Sequence, residues 1–241
     1  MRHARRESSR RCARAALAAG LIALGVALAA APAAAQLAKL PPADDAAADR
    51  SWAKFKTGLL AALEKRDKRA LIAALDRNVR NGARVKPGID EFRRQWDIDA
   101  QDSALWQVLT KILFLGGRNV KAANGAKEFC APYVATDWPE QFDPFEHGAI
   151  IAREALVKAR PSAASATIAT LSYDIVEIGE WDIEDETKGS TQTWVHVDTR
   201  AGEGYVPAEQ IRSPVEHRAC FAGGGGRWRI TALSAGDDKT K

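Results

Sequence analysis

The chain has 241 residues, of which 46% are hydrophobic and 27% are charged, and it carries a formal net charge of +4. This composition provides enough apolar material for a core and excludes a disordered polypeptide. Three cysteines are too few for a disulfide-rich scaffold or a cysteine-rich zinc protein.

Residues 1–35 have the three parts of a secretory signal peptide. A basic segment with six arginines precedes an uncharged, alanine-rich stretch, and Ala33-Ala34-Ala35 offers a cleavage site of small residues. We therefore predict a periplasmic or secreted protein that is cleaved after Ala35. The alternative is an uncleaved membrane anchor, because the uncharged stretch is long enough to span a bilayer.

Cleavage after Ala35 changes the charge of the chain. Of the 35 basic and 31 acidic residues, 29 and 30 remain, so the net charge becomes −1. The remaining sequence has no basic tract that could follow a phosphate backbone. We therefore expect no nucleic-acid partner and, once the signal peptide is removed, no membrane association.

The first part of the mature chain has a helical pattern. Residues 36–50 are rich in Ala, Pro and Asp and predict a flexible leader. Residues 51–128 carry apolar side chains at helical spacing and predict a region of short amphipathic helices. In the first of these helices Trp52, Phe55 and Leu59 share one face.

The pattern changes to short β-type segments in the second part. Residues 129–148 form a connector rich in Pro and aromatic residues, and 149–212 contain Val- and Ile-rich segments separated by Gly and Pro. Residues 213–236 predict a C-terminal β-hairpin that extends the sheet or packs on the helical region, because Trp228, Ile230 and Ala232 alternate with polar residues. Residues 237–241 are predicted to be a disordered tail.

Residues 155–211 resemble the bacterial SH3-like (SH3b) domain. The family reads N-V-R-x-x-P-S, an apolar strand, W-x-x-V and G-Y-V. The matching residues are Val157-Lys158, Pro161-Ser162, Ile168-Ala169-Thr170-Leu171, Ile175-Val176, Trp194-Val195-His196-Val197, Gly204-Tyr205-Val206 and Ile211. Leu156 and Lys158 replace the usual Asn and Arg, and 181–192 is a longer, acidic segment. The resemblance implies a secreted protein with a small β-barrel, and no reaction.

Together these patterns predict an α+β fold: a small N-terminal helical region, then a small antiparallel SH3-like β-barrel, then a C-terminal β-hairpin. The hairpin sequence GGGGRWRITAL is also similar to the G-x-W-x-I/L ending of many nuclear-transport-factor-like α+β proteins. The start of the helical region is reminiscent of the same group.

Aromatic residues of the predicted barrel suggest a binding site. In the strand TQTWVHV, Val195 and Val197 share the face that fills the barrel, which leaves the intervening residues on the outside or beneath the long acidic segment. SH3-type modules hold extended peptides in aromatic grooves. We predict a candidate groove lined by Tyr173, Trp181, Trp194, His196 and Tyr205. The alternative is that these aromatics cover the core or seal the barrel against the helical region.

The cysteines and histidines give little sign of metal or cofactor chemistry. Cys130 and Cys220 remain after cleavage, and an oxidising compartment allows them to form a disulfide; two buried free thiols are the alternative. His147, His196 and His217 are far apart in the sequence, and no H-E-x-x-H or C-x-x-C motif is present. We therefore expect no metal and no cofactor.

The sequence favours a binding function over an enzymatic one. It has no G-x-S-x-G motif or phosphate-binding loop, and Pro132 prevents Cys130 from heading a long helix. We predict a periplasmic binding or scaffold module for a peptidoglycan peptide or a protein segment. One alternative is a purely structural accessory protein. The other is a small enzyme at the seam between the helical and β regions, with the candidate residues Tyr133, Asp137, Glu146 and His147.

Overall fold

The computed structural model describes residues 38–122, 125–224 and 227–235. The predicted signal peptide, residues 1–35, and the predicted tail, residues 237–241, lie outside the described residues. Within the described ranges, no helix has the length and apolar character needed to cross a membrane.

The described residues contain five helices and twelve strands. The helices are α1 (Arg50–Glu64), α2 (Lys68–Ala74), α3 (Ile89–Trp96), α4 (Leu105–Phe114) and the short α5 (Tyr133–Thr136). The strands are β1 (Leu75–Arg80), β2 (Arg118–Lys121), β3 (Lys127–Ala131), β4 (His147–Ile150), β5 (Ala155–Lys158), β6 (Thr167–Leu171), β7 (Ile175–Glu184), β8 (Thr193–Thr199), β9 (Gly202–Pro207), β10 (Ile211–Arg212), β11 (Arg218–Gly224) and β12 (Arg227–Ser234). Side-chain caps begin the first two helices: Asp49 accepts a hydrogen bond from the amide of Ser51 (2.7 Å), and Asp67 accepts one from the amide of Ala70 (3.0 Å).

The first sheet has the order β1-β12-β11-β3-β2. In the described part of the chain, β1 and β12 pair in parallel, and the other neighbouring strands of this sheet pair antiparallel. Side chains of α1 to α4 pack with residues of β3, β11 and β12 in one apolar core. At its centre Trp52 lies 4.7 Å from Phe129 and 4.9 Å from Phe221, measured between ring centroids. The predicted C-terminal hairpin, present as β11 and β12, thus forms the middle of a sheet that belongs to the helical region.

The region 51–128, predicted to be helical, therefore also contains β1, β2 and the start of β3. The sequence pattern did not indicate β1 (LDRNVR) and β2 (RNVK) because both strands are largely polar. Both lie at the edges of the sheet, where one side of the strand is open and the apolar alternation of a central strand is not required.

The second sheet is built from residues inserted between β3 and β11. Its order is β10-β4-β7-β8-β9-β5-β6, and all its pairings are antiparallel. Its core contains Val195 and Val197, the two valines that the strand pattern assigns to the interior. Among the described strands the pairing is that of an open sheet with β10 and β6 at its edges. The mixed α+β class is confirmed; the closed SH3-like barrel is not.

The leader predicted to be flexible over 36–50 is packed from residue 38 onward. The amide of Leu40 donates to the carbonyl oxygen of Tyr173 (2.7 Å), and the amide of Ile175 donates to that of Ala38 (2.8 Å). Leu40 is buried, and Lys39 forms an ion pair with Asp174 (2.8 Å). A composition of Ala, Pro and Asp suggested flexibility, but one buried leucine and a short β-type pairing hold this segment on the second sheet.

The predicted disulfide between Cys130 and Cys220 is confirmed. The two residues face each other across β3 and β11, with their Cα atoms 4.0 Å apart. Alternation along the strands places them on the face opposite the buried rings of Phe129 and Phe221. The disulfide thus joins the strand through which the chain enters the second sheet to the strand through which it returns.

Candidate functional site

A cleft of about 800 Å³ lies between the end of α4 and the second sheet. We call it the seam cleft. Its walls come from the last turn of α4, from the middle of β7, and from the segments 191–193 and 208–216. This volume is in the range of sites that hold small molecules or short peptides.

The α4 wall carries a cation and an exposed aromatic ring. Lys111, Phe114 and Leu115 lie three and four residues apart, so they share the side of the helix that lines the cleft. The phenyl ring of Phe114 is exposed, at 69% of the residue's maximum, although the neighbouring Leu113 is buried. Within the described residues, the ammonium group of Lys111 has no hydrogen-bond or ion-pair partner.

The β7 wall presents two consecutive residues, Trp181 and Asp182, to the same cleft. In a regular strand, consecutive side chains point to opposite faces. Here Glu180 pairs with His196 and Ile183 pairs with Trp194, so β7 has one more residue than β8 over this interval. This is a β-bulge, which changes the direction of the side chains at its position.

Asp182 adopts a backbone conformation that is uncommon for a residue other than glycine. Its φ angle is +58°, in the left-handed region. Its carboxylate has no hydrogen-bond or ion-pair partner in the described part of the chain. Aspartate is among the residues that adopt this conformation, and β-bulges are over-represented at sheet edges and next to active sites.

Arg212 of β10 lines the third wall of the seam cleft, and its side chain is only 6% exposed. Nη1 forms an ion pair with Glu216 (3.0 Å), and Nη2 donates to the carbonyl oxygen of His217 (2.6 Å). Its Nε is buried and lacks an acceptor among the described residues. Burial lowers the pKa of Arg212, and the Glu216 carboxylate opposes this effect.

The charges of the seam cleft are partly paired within the protein. Glu216 is paired with Arg212, and Glu209 accepts a hydrogen bond from Nε2 of Gln192 (2.6 Å). The charged groups of the lining that remain without a partner among the described residues are the ammonium of Lys111 and the carboxylate of Asp182. The amide of Gln192 is neutral and leaves the charge of Glu209 uncompensated, so among the described residues the cleft offers one unpaired cation, Lys111, and two carboxylates that no cation pairs, Asp182 and Glu209.

Two of the five residues of the predicted groove are held by contacts within the protein, and Trp194 lies beneath the long acidic segment, one of the two positions that the strand pattern allowed. Trp194 is only 2% exposed, and its Nε1 donates to Oδ2 of Asp185 (2.8 Å) in the long acidic segment. Tyr173 lies in the turn between β6 and β7, where its φ angle is +59°. Its carbonyl oxygen accepts the hydrogen bond from Leu40.

The remaining three residues of the predicted groove divide between two places. His196 and Tyr205 face each other across β8 and β9, with ring centroids 5.1 Å apart. Trp181 lines the seam cleft instead. The described structure thus brings His196 and Tyr205 together, and it places Trp181 in the lining of the seam cleft.

The residues proposed for an enzyme at the seam are not in the seam cleft. Tyr133 is fully buried, and burial raises its pKa to about 12, so its hydroxyl stays protonated at neutral pH. Asp137 pairs with Nε of Arg118 (2.7 Å), and Nδ1 of His147 contacts the carbonyl oxygen of Asp143 (3.1 Å). These contacts are structural, and they do not pair a nucleophile with a base.

One group of residue types that can bind metals is present among the described residues. Glu128 lies near Cys130 and Cys220, with all potential ligand atoms within 4.8 Å of one another. Both sulfur atoms belong to the disulfide, and the Glu128 carboxylate forms two hydrogen bonds with Arg80 (2.7 and 3.1 Å). The oxidised protein therefore offers no thiolate ligand at this position.

Sequence reasoning missed most of the seam cleft, including Lys111, Phe114, Asp182 and Arg212. One signal was available: Phe114 lies outside the apolar stripe of α4, so the helical pattern leaves its ring without a place in the core.

No protein-family model matches the chain, and neither a curated protein nor a solved structure matches it significantly. The geometry of the cleft is therefore the basis for assigning its function.

Proposed function

We propose that this protein is an exported, non-enzymatic module that binds a peptide in the seam cleft. The peptide is a peptidoglycan stem peptide, and a segment of another protein is the alternative ligand. The observation that carries the proposal is the exposed ring of Phe114 at the rim of a cleft of about 800 Å³ that also contains Trp181.

The lining of the cleft supports peptide binding. Peptide-binding sites combine aromatic anchors, which supply most of the affinity, with charged groups that set orientation. Phe114 and Trp181 are aromatic residues on two different walls, and Lys111 and Asp182 are free charges on the same two walls. An extended peptide between the walls contacts all four.

Export is supported by two independent features. The pattern of residues 1–35 is that of a signal peptide, and Cys130 and Cys220 form a disulfide. Disulfides persist in oxidising compartments such as the periplasm. The resemblance of residues 155–211 to the SH3b domain supports the same location and favours a ligand from the cell wall.

A sedimentation assay with purified peptidoglycan tests the proposal. The protein without residues 1–35 is mixed with insoluble peptidoglycan and centrifuged, and the fraction in the pellet is measured. We expect the protein to pellet, and Phe114→Ala to reduce the bound fraction severalfold because an aromatic anchor is lost.

Phe145→Ala is the matched control, because Phe145 is also 69% exposed and does not line the seam cleft. We expect this variant to pellet like the wild type. A wild-type protein that stays in the supernatant overturns the cell-wall proposal. Equal losses for the two phenylalanine variants would show that the seam cleft is not the binding site.

A further inference from the structure

We infer that the seam cleft selects peptides carrying both a free carboxylate and a free ammonium group. Lys111 receives the carboxylate, and Asp182 receives the ammonium. This inference rests on the proposed function, since it specifies which peptides the cleft binds.

Two walls of the seam cleft carry unpaired charges of opposite sign. Lys111 and Asp182 line the same cleft from α4 and β7, and no ion pair joins them in the described structure. A ligand with a single charge complements one of them and leaves the other without a partner. A ligand with both charges provides a partner for each.

Arg212 carries a buried charge whose hydrogen bonds are incomplete among the described residues. Its buried guanidinium is paired with one carboxylate, Glu216, which is itself 42% exposed, and its Nε has no acceptor. Buried charges are costly unless they are fully paired and hydrogen-bonded. The same wall carries the carboxylates of Glu209 and Glu216, so an incoming carboxylate is repelled there and is directed to Lys111 on the α4 wall.

The bulge in β7 places an acidic and an aromatic residue side by side in the lining of the cleft. Because of it, Asp182 enters the cleft beside Trp181, although a regular strand would send one of the two to the opposite face. A carboxylate next to an indole ring suits an ammonium group, which interacts favourably with both. The left-handed conformation of Asp182 keeps this arrangement despite its backbone strain.

These charges also predict which part of peptidoglycan the cleft binds. Its peptides carry free carboxylates and amines, whereas an uncharged sugar chain has no group that pairs with Lys111 or Asp182. We therefore expect the cleft to bind the peptide portion and to leave the glycan unbound.

The test uses stem peptides released from peptidoglycan in three forms: native, with the amines acetylated, and with the carboxylates methyl-esterified. Their dissociation constants are measured by calorimetry for the wild type, Lys111→Gln and Asp182→Asn. Asn is suitable at position 182 because it tolerates the left-handed conformation. Lys54→Gln on α1 and Asp198→Asn on β8 serve as controls, since both residues are exposed and lie outside the cleft.

We expect each chemical block to weaken wild-type binding about tenfold, as the loss of one charge-assisted contact does. The Lys111→Gln variant should bind the native peptide more weakly than the wild type does. Esterification of the peptide should not weaken binding to this variant further. For the Asp182→Asn variant, the dissociation constant should be the same for the native and the acetylated peptide. The two control variants should behave like the wild type.

Two failures are distinguishable. If native stem peptides do not bind the wild type, the proposed function fails and the inference fails with it. If native peptides bind but the blocked forms bind equally well, or if both cleft variants respond to both blocks as the wild type does, the inference alone is overturned.

Discussion

Trp181 and Asp182 follow one another in β7, yet both line the seam cleft. A β-bulge between the pairs Glu180–His196 and Ile183–Trp194 produces this arrangement, and it places Asp182 in the left-handed region with a φ angle of +58°. Because such a conformation stores strain, its effect on stability and its effect on binding can be separated by mutation.

Replacing Asp182 by glycine should remove the strain and the charge together. Glycine adopts a positive φ angle without penalty, so we expect the free energy of unfolding to stay unchanged or to rise by up to about 1 kcal/mol. Binding of native stem peptides should weaken. Urea unfolding and calorimetry measure the two effects, and a marked loss of stability would assign Asp182 a structural role instead.

Loss of the disulfide should destabilise the whole fold. Cys130 and Cys220 are separated by 90 residues in the sequence and are both buried. Removing such a bond typically costs about 2–5 kcal/mol, so Cys130→Ala combined with Cys220→Ala should lower the free energy of unfolding by this amount.

The double variant also supplies the control for reduction. Dithiothreitol should destabilise the wild type and leave the variant unaffected in denaturant unfolding. Rapid labelling of the native protein by a thiol reagent, without prior reduction, would contradict the disulfide.

Residues of the groove predicted from the sequence should not contribute to peptide binding. Trp194→Phe removes the hydrogen bond to Asp185, which should cost about 1–3 kcal/mol of stability. Because Trp194 is buried, binding of stem peptides by the folded variant should change less than twofold. Tyr205→Ala, which removes a ring outside the cleft, should also bind normally. A tenfold loss of affinity in Tyr205→Ala would instead indicate that peptides bind in the groove at His196 and Tyr205.

The stability of the protein should depend on His217 at mildly acidic pH. Burial, followed by the Arg212 guanidinium, lowers the pKa of His217 below its ordinary value of 6.5. The unfolded chain therefore takes up a proton at higher pH than the folded protein does. As a result, this contribution to the free energy of unfolding is constant above about pH 7 and falls as the pH decreases through 6.5.

Urea unfolding at a series of pH values from about 8 to 5 measures this effect, because the carboxylates with lowered pKa values, such as Asp45, titrate at more acidic pH. His217→Gln should make the profile flatter over this range. An unchanged profile in this variant would show that another group causes the dependence.

Some parts of the fold could be predicted from local sequence patterns. Trp52 and Leu59 follow the helical repeat of α1, and Val195 and Val197 follow the alternation of β8; all four are buried. The signal peptide indicated a compartment in which Cys130 and Cys220 can form a disulfide, although the sequence also allowed two free thiols. For the helix and the strand, the spacing of apolar residues along the sequence determines the local structure.

Other parts depend on contacts between residues that are far apart in the sequence. The polar strand β1 exists because Leu75 and Arg80 pair with Ile230 and Ala232 of β12. The bulge at Asp182 arises from its register with β8, and the seam cleft arises because α4 lies beside the inserted sheet. Patterns within short windows carry no information on such pairings.

The location of the bound peptide is the most direct test of the proposed function. The protein without residues 1–35 can be labelled with fluorotryptophan, and the fluorine signal of Trp181 is assigned by comparison with Trp181→Phe. On addition of native stem peptides, we predict that the Trp181 signal shifts in proportion to binding, while that of the buried Trp194 does not move. Binding that leaves the Trp181 signal unchanged would contradict the assignment of the seam cleft as the peptide site.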